Sequence, residues 1–401
     1  MTVLVVGAGP AGLSAARALA RHGVDVTVVD RDPMAGGIAA YADHQGYGLR
    51  DLHRSMRGPA YARVLADQAA AAGARIRLRT MATAVDSDPL RVDLTSPDGR
   101  EQVTADAVIL ATGCRERPRT ARLIPGSRPE GVWTTGWLQR HVAGGGRLDG
   151  RRAVILGAEH VSFSAIMTLA HAGARTVAML TGEPGHTSYA AFRAGARLRW
   201  RVPLLTSTTI LAIHGAPRMT GVEIEREGVR DRIDCDLLIV TGDWIPDGEL
   251  ASRLGVLQSR ATGGPIVDQV MRTSVPGVLA VGNLLHPPAT ADVCALSARR
   301  GVDGVLPWLE SGAWRPPTVP VNVANPLLWC SPGVVTEDSP VPGLIVMSAR
   351  SISAPRIHVS QSERTLWSGR LPWLRPTRPA RVPGGWTAQA DAGPVTVWIE
   401  D

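Results

Sequence analysis

Residues 3–30 hold the pattern that most restricts the fold. Val3-Leu4-Val5-Val6 is an unbroken apolar run, as in a strand buried on both faces. Gly7-Ala8-Gly9-Pro10-Ala11-Gly12 follows, and then Leu13 to Leu19 with apolar residues at helical spacing. Gly23 stops the helix, and Val26-Thr27-Val28-Val29 is a second buried strand closed by Asp30. This order predicts a parallel β-α-β unit with an acid about 20 residues past the glycine turn. Gly7 permits the tight turn, Gly9 leaves room for an anion to reach backbone N–H groups at the helix start, and Gly12 lets helix and strand pack closely. The expected ligand is a dinucleotide, with Gly7, Gly9, Pro10, Ala11 and Gly12 around its pyrophosphate and Asp30 accepting from ribose hydroxyls. The apolar start also looks like a signal peptide, but it lacks a basic n-region and carries the glycine turn; it reads as the first strand and helix of a cytosolic protein.

The pattern recurs. Ala153-Val154-Ile155-Leu156-Gly157 opens a second β-α-β unit, with a helix near Val161–His171 and a strand at Thr176–Leu180. Gly144-Gly145-Gly146 just before it reads as a flexible joint. Between the repeats lie a helix near Arg57–Ala72, shorter strands from Ile76, and the buried strand Ala107-Val108-Ile109-Leu110, which runs into Ala111-Thr112-Gly113. From Trp314 the composition changes. Pro316, Pro317, Pro320 and Pro326 suggest a linker, and Leu344–Met347, Arg356–Val359 and Val395–Trp398 read as strands. Seven tryptophans lie beyond residue 305, which suggests a small β appendage with a Trp-rich core.

Composition removes several classes of function. All 43 basic side chains are arginine, so a Schiff-base lysine and a P-loop lysine are both excluded. Cys114, Cys235, Cys294 and Cys330 are far apart, which argues against a dithiol, a zinc site or an iron–sulfur cluster and fits a reducing cytosol. The net charge of +7 is spread along the chain without a basic run, so neither nucleic acid nor a membrane is an expected partner. No metal site is expected.

With three separated motifs in hand, the chain resembles the two-dinucleotide-domain flavoproteins of the thioredoxin-reductase-like, pyridine nucleotide-disulfide oxidoreductase superfamily. The motifs are the opening turn, Ala111-Thr112-Gly113, and Gly277-Val278-Leu279-Ala280-Val281-Gly282-Asn283. The likeness covers roughly residues 1–310. Gly36-Gly37 and Ala111 to Pro118 look like the subgroup holding FAD subunits of hydrogen cyanide synthase, opine oxidase and hydroxyproline dehydrogenase, and oxidoreductases associated with glycerol-3-phosphate dehydrogenase. The resemblance implies FAD, held by the opening turn together with Asp30, Arg31, Gly37, Ala82, Ala111, Thr112, Gly113, Gly282, Asn283, Asp292 and Val293. Asn283 stands where the family usually has Asp; it retains an acceptor for a ribityl hydroxyl. A helix near Thr290–Arg300 would aim its N-terminus at the flavin N1–C2=O edge. Related hetero-oligomers often carry an iron–sulfur element, for which this chain lacks the cysteines.

The second glycine turn departs from that pattern. It reads Gly157-Ala158-Glu159-His160-Val161-Ser162, with Glu159 in place of the second Gly and Ser162 in place of the third. At about 4 Å and an effective dielectric near 20, a carboxylate there repels a phosphate charge by about 4 kcal/mol. NAD(P)H binding is therefore disfavoured. Glu159 and His160 become candidate acid–base residues, or else Glu159 and Ser162 simply cap the helix. His44 and His286 are further catalytic candidates, and Arg50, Arg115 and Trp244 are candidates for substrate contact. Structural roles for these (a loop cap, a salt bridge, a packed Trp) compete at each position.

The expected fold class is α/β, with two Rossmann-like three-layer nucleotide-binding domains plus a small C-terminal all-β domain. The expected boundaries are 1–120 with 275–315 for FAD, 121–274 for the second domain with the degenerate turn, and 316–401 for the β appendage. The expected function is a cytoplasmic FAD-dependent oxidoreductase that takes a hydride from a small substrate, by subgroup resemblance an amine or amino-acid-like C–N bond. The alternatives are a non-catalytic FAD-binding subunit and an NAD(P)H-dependent flavin reductase or monooxygenase. Both a second copy of the chain and a redox partner subunit stand open as partners.

Overall fold

The computed structural model describes residues 1–314, 319–336 and 343–400, apart from Pro288. Its contacts divide the chain into two compact units. The first comprises Met1–Ala40, Gly46–Cys114 and Pro246–Asp401, and the second Tyr41–Gln45 and Arg115–Ile245.

The first unit is built on a five-stranded parallel sheet, in the order Val278–Ala280, Ala107–Leu110, Thr2–Val6, Asp25–Val29, Arg75–Arg77. The interior strands Thr2–Val6 and Ala107–Leu110 carry continuous apolar runs, which suit a sheet covered on both faces. Leu13, Ala15, Ala16 and Leu19 of helix Pro10–Arg21 are fully buried in the same core as these strands. The sequence from Thr2 to Val29 forms the expected β-α-β unit.

The second unit repeats this plan. Its parallel sheet runs Val132–Thr134, Leu237–Val240, Arg152–Leu156, Arg175–Leu180, Leu204–Leu205. Strand, helix and strand start at Thr2, Pro10 and Asp25 in the first unit and at Arg152, His160 and Arg175 in the second, an offset of 150 residues in each case. Each unit also carries a three-stranded antiparallel sheet, Met81–Thr104 in the first and Thr208–Asp234 in the second.

The unit boundaries differ from the expected ones. The chain changes unit after Cys114 and again after Ile245, and the short strands Cys114–Glu116 and Trp244–Pro246 pair with each other at these points. Residues 246–274 belong with the first unit because Ala251, Leu254, Val256, Val267 and Met271 are buried in its core. Gly144-Gly145-Gly146 is not a joint. It ends helix Thr135–Ala143 inside the second unit, where a Cβ on Gly146 would lie 2.3 Å from the His141 ring.

Among the described residues beyond Trp314, strands predominate, with a short 3-10 turn at Thr387–Gln389. One sheet runs Val334–Val335, Val319–Val323, Val395–Ile399, Arg356–Gln361, Arg364–Arg370; a second runs Leu327–Ser331, Leu344–Ser348, Ala380–Val382. Pro320 lies in a strand and Pro326 in the turn after it, so neither is linker; Pro316 and Pro317 lie outside the described residues. The core of this segment is mostly Val, Leu and Ile around a fully buried Trp386, rather than Trp-rich. Trp308 and Trp314 pack instead against the first unit's core, and Trp367 sits at the edge of the β core.

The β segment is held to the rest of the first unit by a buried polar lock. Gln269 donates through Nε2 to Thr336 O at 2.7 Å and accepts through Oε1 from Thr336 N–H at 3.0 Å. Arg272 donates to Thr336 Oγ1 at 3.0 Å and to Asp268 Oδ2 at 2.6 Å. Asp268 is fully buried and also accepts the N–H groups of Val270 and Arg272. Removing one partner of such a buried pair leaves the other charge uncompensated. Asp268→Ala is expected to cost about 3–5 kcal/mol of stability, read by chemical denaturation. An effect below about 1 kcal/mol would contradict this role.

Candidate functional site

The opening turn is a cradle defined by what its glycines omit. A Cβ on Gly7 would lie 2.4 Å from Ala111 O, and one on Gly12 would lie 1.9 Å from Gly7 O. One on Gly282 would lie 2.7 Å from the Ala11 side chain. Three separate segments therefore meet at side-chain-free positions. At Gly9 the situation is reversed, since a Cβ there meets nothing within 4 Å. Open space thus lies beside the start of helix Pro10–Arg21, which has no side-chain cap and no acid in its first turn. Free N–H groups and a positive dipole end face that space, as pyrophosphate binding requires.

Asp30 shapes this cradle from within. Its Oδ2 accepts the Ala8 N–H at 2.6 Å and its Oδ1 the Asp32 N–H at 2.8 Å. Burial raises its pKa, and the two N–H bonds oppose that shift. Each oxygen keeps a second lone pair, so ribose hydroxyls fit without losing the turn. Gly36 N–H donates to Ala8 O at 2.7 Å, which brings Gly37 alongside Gly9. Thr112 Oγ1 donates to Asp247 O at 2.7 Å, the Asp247 N–H donates to Gly113 O at 2.9 Å, and Asp247 Oδ2 pairs with Arg31 at 3.1 Å. Asp247 is thus the organiser of this edge, and no local sequence signal singles it out. Ala82 lies on strand Met81–Ser87, half-buried against the same core.

The Asn283 amide is engaged within its own loop. Its Oδ1 accepts the Ala289 N–H at 2.8 Å and its Nδ2 donates to Ala289 O at 3.1 Å, so both ends of the amide fasten the loop before helix Ala291–Ala298. The helix start is held by Asp292, which accepts from Val293 N–H at 3.0 Å, from the hydroxyl of Thr290, and from Arg50 Nη1 at 3.3 Å. Arg50 is therefore tied to this helix start.

The candidate catalytic residues fall in both units, His286 in the first and His44, Glu159 and His160 in the second. His286 is buried and stacks on Trp329 with ring centroids 4.9 Å apart. Burial pushes its pKa down to about 4, so it is neutral. His44 lies in the second unit, its Nε2 2.6 Å from Ser164 Oγ and its Nδ1 2.9 Å from Gln45 O. Gln139 Nε2 donates to the same Ser164 Oγ at 2.9 Å. The serine proton therefore points at His44 Nε2, and Nδ1–H donates to Gln45 O. Burial lowers the His44 pKa, which favours this neutral tautomer. Neither Ser164 nor Gln139 stood out in the sequence. Arg115 is exposed and Trp244 half-buried, both on the paired strands where the chain changes unit.

The second turn is filled. Glu159 occupies the N-cap of helix His160–His171 but makes no cap hydrogen bond. Its carboxylate lies across the turn instead. A Cβ on Gly157 would sit 2.8 Å from Oε2, and one on Gly242 2.9 Å from Oε1. Ser162 is fully buried with its Oγ 2.6 Å from Thr241 Oγ1, so it caps nothing either. The His160 ring packs edge-on against Tyr189 at 4.8 Å and Phe192 at 5.6 Å. The loop after strand Arg175–Leu180 folds back over the turn, with Thr187 N–H donating to Ala158 O at 3.2 Å and Ser188 fully buried.

The family model described as pyridine nucleotide-disulphide oxidoreductase matches residues 1–298. The chain belongs to that family. Family members are FAD-dependent oxidoreductases, and NAD(P)H is the family's reductant. One of the subunits of opine oxidase from Rhizobium meliloti is 26% identical over 320 residues, 70% of this chain and 58% of that one. The alpha subunit of sarcosine oxidase from Rhizobium meliloti (strain 1021) is 25% identical over 63% of this chain and 25% of that one. The chain thus spans less than two thirds of either relative. Thioredoxin reductase of T. acidophilum superposes with a TM-score of 0.66 at 22% identity, over 78% of this chain and 98% of that one, and so shares the fold. The first cradle fits FAD; when bound, FAD would supply a two-electron acceptor that takes hydride at N5.

The contrast between Gly9 and Gly12 gives a test. Gly9→Val is expected to leave the fold intact, because the space is open, yet to lower FAD content at least about tenfold by blocking phosphate approach. Circular dichroism and flavin absorbance read the two properties separately. A Gly9→Val protein that keeps full FAD would show that the pyrophosphate lies elsewhere.

Proposed function

We propose that this chain oxidises a small substrate at a C–N bond and does not draw electrons from NAD(P)H. The observation that carries this reading is the contrast between the two glycine turns. The first leaves open space before an uncapped helix start. The second places a buried carboxylate across the equivalent turn and covers it with the loop 181–189. A dinucleotide would have to displace that loop and meet the repulsion of Glu159. With the usual donor disfavoured, electrons enter from the substrate.

The substrate class rests on likeness to the opine oxidase and sarcosine oxidase proteins, whose names carry C–N substrates. Both are named as subunits, which supports transfer of electrons to a partner subunit or to oxygen. Removal of a hydride from a protonated amine also requires a proton acceptor for the N–H. The segment 319–400 is proposed as a small β domain that braces the late cofactor loop through the Trp329–His286 stack. The four cysteines form no disulfide among the described residues, which supports a reducing compartment. Among the described residues no helix is long and apolar enough to cross a membrane.

The test is anaerobic. Excess NADH or NADPH is expected to leave the oxidised flavin spectrum unchanged over minutes, while one member of a panel of secondary amines and amino acids bleaches it. Bleaching by a reduced nicotinamide at about 10 s⁻¹, a common enzymatic rate, would overturn the reading. Glu159→Gly is expected to restore some nicotinamide reactivity, because it removes the repelling charge.

A further inference from the structure

The second unit carries an apolar groove between two of its helices. Helix Ala190–Arg199 lies beside helix His160–His171, and the space between them holds about 210 Å³. Phe163, Ile166 and Met167 line it from one side, and Phe192, Ala196 and Trp200 from the other. The chain has only two phenylalanines, and both are here, stacked with ring centroids 6.0 Å apart. Gly195 also lines the groove, and a Cβ on it would meet nothing within 4 Å. Glycine in a helix interior is unfavourable against alanine, and here it leaves the groove open. Among the described side chains of helix Ala190–Arg199, Ala196 alone is buried, while Phe192 is 41% exposed and Leu198 80% exposed.

The charge around this groove has one sign. From Pro184 to Val222 the sequence holds no Asp or Glu. Arg193, Arg197, Arg199 and Arg201 are all exposed, and none pairs with an acid among the described residues. Helix His160–His171, the opposite wall, contains no acid either. Arg197 and Arg199 lie in the last turn of their helix, where a cation suits the carbonyl end of the dipole. Arg193 lies before that turn, four residues ahead of Arg197, so two like charges share a face and repel each other. The Arg199 guanidinium is 5.9 Å from the centroid of the Trp200 ring. Arginines thus stand along the groove and at its Trp200 end.

We propose that this groove docks an acidic segment of a partner protein, which sets a large apolar side chain between Phe163, Phe192 and Trp200 and brings carboxylates to Arg193, Arg197 and Arg199. An apolar anchor in a pocket, with charges at the rim, is a common way for a protein surface to hold a short segment. A carboxylate also relieves the repulsion between Arg193 and Arg197. Two other occupants suit the face less well. A second copy of the chain, joined about a two-fold axis, would set these arginines against their own counterparts. A membrane surface needs the apolar side chains on one face, yet six helical residues turn Leu198 about 120° away from Phe192. The inference rests on neither the substrate class nor the electron donor.

The test uses the full chain loaded with FAD and fluorescence anisotropy. The probe is a fluorescein-labelled helical peptide with leucine and phenylalanine on one face and glutamate on its flanks. It is compared with the same peptide carrying lysine for glutamate, and with vesicles of phosphatidylglycerol and phosphatidylcholine. Saturable binding is expected for the glutamate peptide alone, weakening about tenfold between about 50 and 300 mM salt. Gly195→Leu fills the open space and should weaken binding about tenfold or more, with circular dichroism and thermal midpoint retained. The double variant Arg193→Glu, Arg197→Glu should reverse the preference, so that the lysine peptide binds and the glutamate peptide does not. No saturable binding by the wild type, equal binding of the two peptides, or binding unchanged in both variants would overturn the proposal. Vesicle binding without peptide binding would assign the face to a membrane and overturn it. A dimer in sedimentation equilibrium that Gly195→Leu dissociates would assign the groove to a second copy, with the same consequence.

Discussion

Close backbone packing at the opening turn underlies the rest of the first unit. Gly7 against Ala111 O, Gly12 against Gly7 O and Gly282 against Ala11 are contacts that no side chain can enter. They pull the start of helix Pro10–Arg21, the end of strand Ala107–Leu110 and the loop after strand Val278–Ala280 to one edge of the sheet. An uncapped helix start is costly unless its N–H groups find partners. The turn leaves them facing open space, where water or an anion can accept from them, and a bound anion gains the helix dipole as well. Asp30 completes the design by holding the Ala8 N–H, so the loop is formed before any ligand arrives.

The second unit keeps the scaffold and inverts the electrostatics. Strand, helix and strand recur at the same spacing, yet Glu159 and Ser162 replace the glycines that an anion needs. The fold tolerates this because helix–strand packing depends on the apolar faces, not on the ligand. Ile155, Ala165, Ile166 and Leu169 are as completely buried as their counterparts in the first unit. Ser162 fits where a glycine would ordinarily sit because its hydroxyl finds Thr241. A buried polar group with a partner costs little, while one without a partner costs a good deal. Glu116, buried with its Oε2 on the Gly136 N–H, and Glu159, buried across the turn, are therefore the costlier feature of this unit.

Both β-α-β units were legible in the sequence because apolar runs and glycine spacing are local signals. The three segments that meet at the first cradle were legible by resemblance. Side-chain direction was not. Nothing local shows that Asn283 turns back onto Ala289, that Glu159 lies across its turn rather than capping its helix, or that His44 finds Ser164, which is 120 residues away. Each outcome is decided by a partner distant in sequence or by a turn whose shape the sequence does not spell out. The domain boundaries were misplaced for the same reason. Residues 246–274 carry little periodic signal of their own, and only packing assigns Leu254, Val256 and Val267 to the first core. The tryptophans beyond residue 305 misled because their number says nothing of which core they enter.

The β segment gains meaning from where it is fastened. Gln269 and Arg272 grip Thr336, Gly333 N–H donates to Val267 O at 3.2 Å, and Trp329 stacks on His286. The first group lies before strand Val278–Ala280, and His286 lies after it. The segment therefore clamps both approaches to the loop that carries Gly282 and Asn283. Within that loop the amide of Asn283 is tied to Ala289, and Gly282 must stay within contact of Ala11. A lone short loop would lose conformational entropy on being held so closely. Bracing it from both sides moves that entropy cost into folding itself.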